Sequence, residues 1–180
     1  MANIGTETVY LGAAAVCALS GAICDLRSRR IPNWLTGSAI LLGLVLHPVL
    51  GGWRSIANAV LAGLVAGGTF LVFYLAGGMG GGDVKLMTAV GCCAGLNHVA
   101  GILIATAVAG GVFALALALV AGQLKQTLCN VAQLLLHHGS VGLQPHPDRN
   151  VQNPQTLRLP YGIAIGAGTA MTLLGALLSQ

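Results

Sequence analysis

Charge is nearly missing from this sequence. Asp, Glu, Lys and Arg together make up 7% of 180 residues, against about 25% in an ordinary soluble domain. That is too little to cover a water-facing surface, so a soluble globular domain is excluded. The eight basic residues outnumber the four acidic ones, but they gather at the ends of apolar segments, which suits orientation in a membrane rather than nucleic-acid binding. None of the five cysteines forms a C-x-x-C pair, which excludes a zinc ribbon and a thioredoxin-like site. They read as small apolar residues. No G-x-S-x-G serine motif occurs. The glycines before Lys85 lack the spacing and the Ser/Thr of a phosphate loop. His137, His138 and His146 have no acidic or cysteine partner at ligand spacing, so no metal site is expected and they read as solvated loop residues. His47 and His98 read as interfacial polar residues at the ends of passes.

Apolar sequence fills the gap. Hydrophobic residues account for 56% of the chain, and residues 8–24, 31–53, 55–82, 86–124 and 159–180 contain no Asp, Glu, Lys or Arg. A spanning helix takes about 20 apolar residues. The 86–124 run therefore holds two passes, with a break expected near Asn97-His98. The expected fold is an all-α membrane protein, a polytopic bundle of about six transmembrane helices, whose fourth pass, from Val84 to Leu96, is short. Arg27, Arg29, Arg30, Lys85, Lys125, Arg149 and Arg158 then fall on one side and only Arg54 on the other. By the positive-inside rule the N-terminus is outside. The first segment is not expected to be a signal peptide, since Glu7 precedes it and the basic cluster follows. Residues 1–180 read as one membrane domain with an inside loop over 122–158. In that loop, Leu124, Leu128, Val131 and Leu135 predict an amphipathic helix over 123–138 lying in the interface, and Pro145, Pro147 and Pro154 mark 139–158 as a flexible linker. Gly63-x-x-x-Gly67, Gly91-x-x-x-Gly95 and Gly162-x-x-x-Gly166 are spacings that let helices approach closely.

Two of the four acids, Asp25 and Asp83, stand at the edges of these apolar segments. Ionisable groups near hydrocarbon are costly and mark functional sites. A pair of carboxylates is the minimum equipment for aspartyl proteolysis, one activating water and the other supplying a proton. Two crossings separate Asp25 from Asp83, so the topology puts them on the same face, together with Pro160. Each also has a structural explanation. Arg29 lies four residues after Asp25, the spacing of a helical ion pair. Asp83, after Gly77-Gly78 and Gly80-Gly81-Gly82, could be a helix N-cap behind a bent, open glycine segment.

The run Asp25-Leu26-Arg27-Ser28-Arg29-Arg30-Ile31-Pro32-Asn33-Trp34-Leu35-Thr36 resembles the first-aspartate loop of the bacterial type IV prepilin peptidases. Gly80-Gly81-Gly82-Asp83-Val84-Lys85 resembles their Gly-x-Gly-Asp motif, and Pro160-Tyr161-Gly162-Ile163-Ala164 resembles the start of their last helix. The resemblance implies an aspartic-type endopeptidase of the bacterial inner membrane that removes the basic leader from prepilins or pseudopilins at the cytoplasmic face. It makes Asp25 and Asp83 catalytic, with Gly80, Gly82, Lys85, Pro160 and Gly162 shaping the site. Lys85 either tunes Asp83 or pairs with lipid phosphate. No metal or cofactor is implied, and the partners are pilin precursors and membrane lipids, not nucleic acid. The larger relatives N-methylate the new terminus with a Cys-rich domain that has no counterpart here, so this compact chain is most like the peptidases of tight-adherence (Flp) pili. A basic leader would be repelled by Arg27, Arg29 and Arg30, so either anionic headgroups screen them or they face away from the cleft. The competing expectations are a small ion- or solute-conducting protein with Asp25 and Asp83 lining a polar path, and a catalytically silent subunit that holds pilin in the bilayer.

Overall fold

The computed structural model describes residues 4–125, 127, 129–131, 133 and 160–179. Among them there are helices and no strands. In chain order these are α1 (Ile4–Ser28), α2 (Asn33–Gly51), α3 (Ser55–Leu75), α4 (Gly81–Ala94), α5 (Leu96–Val120) and α6 (Tyr161–Leu178). Five of the six are long and apolar enough to cross a membrane, α4 being the exception. Large apolar side chains such as Leu41, Leu64, Ile104 and Val120 stand exposed on the outside of the bundle. That would be untenable in water, and it is what a lipid-facing surface requires.

The 14-residue α4 is only about 21 Å long. Its survival among longer helices follows from where it sits. Leu86, Met87, Val90 and Cys93 are completely buried, so α4 is the central post and its neighbours shield it. The packing is close because small residues line it. A methyl group at Gly91 would lie 2.7 Å from the Ala62 carbonyl oxygen, and one at Gly43 of α2 would lie 2.6 Å from the Cys92 carbonyl oxygen. Gly63 and Gly67 of α3 meet Cys92 and Thr88 of α4 in descending order, so α3 and α4 run antiparallel. Gly101, Gly110 and Gly168 place α5 antiparallel to α6 through Thr172, Ala164 and Thr106, and Gly166 packs α6 on Ala18 and Ala22 of α1.

The element boundaries have local causes. Pro32 and Pro160 precede α2 and α6 in extended conformation, with φ −64° and −71°. The α4–α5 break falls at Gly95, close to the expected Asn97-His98, because Gly95 adopts φ +78° and serves both helices as cap. The glycine segment before Asp83 is also shorter than expected. Gly77 takes φ +78° in the turn, but Gly81 and Gly82 are already helical. Leu124, Lys125, Thr127, residues 129–131 and Gln133 are helical. Gln123 is not helical, and the remaining residues of the 123–138 segment, the 139–158 linker, and His137, His138 and His146 lie outside the described residues.

Candidate active site

One end of the bundle gathers the last turn of α1 and the first turns of α2, α4 and α6. A cleft of about 400 Å³ opens there, lined by Asp25, Arg29, Arg30, Ile31, Asn33, Gly80, Gly81, Gly82, Asp83 and Lys85. Two stretches far apart in sequence line it, one within residues 25–33 and one within 80–85. Helix α1 presents Asp25 from its final turn, the connector to α2 supplies residues 29–33, and the α3–α4 turn leads into Asp83.

Both carboxylates are buried, each 9% exposed. They are close enough for the charge of one to act on the other. Each is fastened by one backbone N–H. Gly80 N–H donates to Asp83 Oδ2 at 3.1 Å, and Gly162 N–H donates to Asp25 Oδ2 at 3.1 Å. The other oxygen of each accepts no hydrogen bond from the described residues. Asp83 is thus the third residue of α4, not its N-cap. The N-cap position is Gly80, which has no side chain, so only the returning half of a capping box exists. The Asp25–Arg29 ion pair does not form. Arg29 lies beyond the end of α1 at φ +50°, its N–H donating to the Asp25 carbonyl at 2.8 Å, and His98–Glu7 is the only ion pair among the described residues.

Gly162 cannot be larger without cost. A methyl there would lie 2.9 Å from Asp25 Cβ and 3.0 Å from its Oδ2. Pro160, itself in extended conformation, directly precedes α6, and Tyr161, between Pro160 and Gly162, is near enough to Asp83 to feel its charge. Gly82 faces Ile31. A methyl added at Gly82 would stand 3.6 Å from Ile31 Cβ, an ordinary contact distance, so the two motifs lie side by side here. Gly80 acts through its N–H. Lys85 donates from Nζ to Asn33 Oδ1 at 3.0 Å.

A model of the type IV leader peptidase family matches residues 12–115. The chain belongs to that family. The matched region carries Asp25, Asp83 and Lys85 but stops well before Gly162. Comparisons with curated proteins and with solved structures gave no match. Membership makes the protein a leader peptidase, a protease of the aspartic type, and prepilin-type precursors its general substrate class. Its several apolar helices fit a membrane protein.

Within this leader peptidase, Arg29 and Arg30 do not face away from the cleft: both border it. Arg29 is hard to find as a site residue by sequence, because nothing in an Arg-rich run signals a left-handed backbone. Asn33 reads in the sequence as part of a turn, though a polar residue opening a membrane helix is a usable signal. At the end of α2 away from the cleft, His47 is wholly buried rather than exposed, stacked on Tyr10 with ring centroids 4.0 Å apart and bonded through Nδ1 to Ser55 Oγ at 3.1 Å. His98 does sit near the surface, paired with Glu7.

Proposed function

We propose that Asp25 and Asp83 form the catalytic dyad of a prepilin peptidase, cleaving basic leaders from prepilins or pseudopilins at the cytoplasmic face of the bacterial inner membrane. The observation that carries this is the convergence of both buried carboxylates on one cleft, in a chain of the leader peptidase family. The basic residues support the orientation. Arg27, Arg29, Arg30 and Lys85 belong to the cleft end, whereas Arg54 precedes α3 at the other, which favours a cytoplasmic cleft and an outside N-terminus. The five cysteines form no C-x-x-C pair, which supports the tight-adherence (Flp) type of peptidase over the larger, methylating type.

Like charges at close range disfavour double ionisation, so the dyad holds one proton between its members. The ionised carboxylate takes a proton from water as the water oxygen bonds to the scissile carbonyl carbon. The protonated carboxyl gives its proton to the carbonyl oxygen, forming a gem-diol. A proton then passes to the amide nitrogen, the C–N bond breaks, and leader acid and mature amine separate. The N–H groups of Gly80 and Gly162 hold one oxygen of each carboxylate and leave the other for water. Arg29 and Arg30 at the rim are offset by anionic lipid headgroups, which lets a basic leader approach.

The test is processing of a co-expressed prepilin. Asp25→Asn and Asp83→Asn should each abolish leader removal while the protein accumulates normally in membranes. Normal processing by either variant would overturn the dyad.

A further inference from the structure

We propose that Asn33 is a positioning residue of the cleft, acting through Lys85. This rests on the assignment of Asp25 and Asp83 as the dyad. Asn33 stands eight residues after Asp25, and Lys85 two residues after Asp83. Their 3.0 Å hydrogen bond joins positions 52 apart in sequence. It links the segment that follows Asp25, through the α1–α2 connector, to the first turn of α4, which carries Asp83.

The connector needs such a tie. It leaves α1 through Arg29, a non-glycine residue at φ +50°, a conformation that is unfavourable unless its surroundings impose it. Within the connector itself, the Ser28 hydroxyl reaches the carbonyls of Cys24 and Arg30 at 2.9 and 3.1 Å, which holds it to α1. Two contacts hold it to α4: Ile31 against Gly82, and Asn33 to Lys85. The first is apolar and can slide. The second is directional, and its donor is charged. The Asn33 amide oxygen is engaged by the Lys85 ammonium. The effect of this bond is on where the Asp25-bearing segment lies relative to α4. It also fixes Lys85, whose four-carbon stem would otherwise leave the ammonium free to seek another acceptor in the cleft.

A merely structural bond would change stability or accumulation. A positioning bond changes turnover at saturating substrate, with substrate affinity and melting temperature preserved. The experiment is a double-mutant cycle on the full chain in detergent micelles, with a purified prepilin as substrate. Asn33→Leu and Lys85→Met should each lower kcat by about 10-fold, the scale of one hydrogen bond to a charged group, with KM nearly unchanged. The double variant should be no worse than the poorer single one, since both remove the same bond. Lys85→Arg keeps a charged donor and should stay near wild-type kcat. Single variants with normal kcat, losses confined to KM, losses that multiply in the double variant, or a Lys85→Arg as poor as Lys85→Met would each overturn the proposal. Should Asn33→Leu fail to accumulate, the contrast between Lys85→Met and Lys85→Arg decides it. Asp25→Asn and Asp83→Asn run in the same assay separate the two ideas. If they are inactive while the cycle is multiplicative, only the clasp is wrong; if they are active, the dyad is wrong.

Discussion

Replacing Gly162 by alanine tests whether α6 takes part in the cleft. The added methyl would sit 2.9 Å from Asp25 Cβ, 3.0 Å from Asp25 Oδ2 and 3.3 Å from Ala22 Cα. Carbon atoms rest comfortably at about 3.5–4.0 Å. Relief therefore needs a displacement of roughly 0.6–1 Å between α6 and the last turn of α1. Two of the three obstacles belong to Asp25 itself, so the carboxylate moves with the relief or loses its 3.1 Å bond from the Gly162 N–H. Overpacking of this kind costs about 1–3 kcal/mol of stability. A misplacement near 1 Å at a reacting group costs about 100-fold in rate. The expected result is a folded protein with a modestly lowered melting temperature in detergent and leader cleavage reduced on the order of 100-fold. Two controls sit on the same helix. At Gly166 the nearest atom is Ala22 Cβ at 3.3 Å, which calls for a small adjustment, and at Gly175 nothing lies within 4 Å. Gly166→Ala should lose little activity and Gly175→Ala none. Cleavage by Gly162→Ala at the wild-type rate would show that the Asp25–α6 contact has no bearing on catalysis.

Two further outcomes bear on the fold. Gly91→Ala forces a methyl against the Ala62 carbonyl oxygen and the Ala66 side chain, both at 2.7 Å, so it should destabilise the α3–α4 contact by about 1–3 kcal/mol, read as a lowered thermal midpoint in micelles. At Arg29, glycine fits φ +50° without strain, and its greater freedom in the unfolded chain offsets that relief. Arg29→Gly should therefore hold stability within about 1 kcal/mol, while Arg29→Val, β-branched in a left-handed conformation, should lose more than about 1 kcal/mol by the same thermal assay.

Much of the architecture can be read from where charge is missing. Runs free of Asp, Glu, Lys and Arg mark the long helices, and the prolines at 32 and 160 mark two of their starts. The parity of crossings brings Asp25 and Asp83 to one end, as observed in the shared cleft. The break expected near Asn97-His98 is found close by, but its exact position is not set by polarity. Backbone geometry ends α4 at Gly95, and the polar pair simply opens the next helix. Contacts that depend on distant packing are not legible at all. Nothing in the spacing of Asp25 and Gly162, 137 residues apart, announces a hydrogen bond. Nor does a lone histidine in an apolar run reveal that its ring is stacked on Tyr10 and sealed from solvent. The reach of Lys85 to Asn33 belongs to the same class, since neither residue's place in its own motif names the other as its partner.

The fastening of Asp25 by α6 sets a lower bound on how small this peptidase can be made. A fragment ending after α5 would keep both carboxylates, Lys85 and all of residues 12–115. It would lack the Gly162 N–H that meets Asp25, and it would open the face of α1 that α6 covers. The tether between α5 and α6 is a different matter for an engineer, because among the described residues the cleft lining lies wholly outside it. A chain divided there, with its two pieces made separately, carries every contact described for the cleft, and the apolar face that α6 shares with α1 and α5 is what would bring the pieces back together.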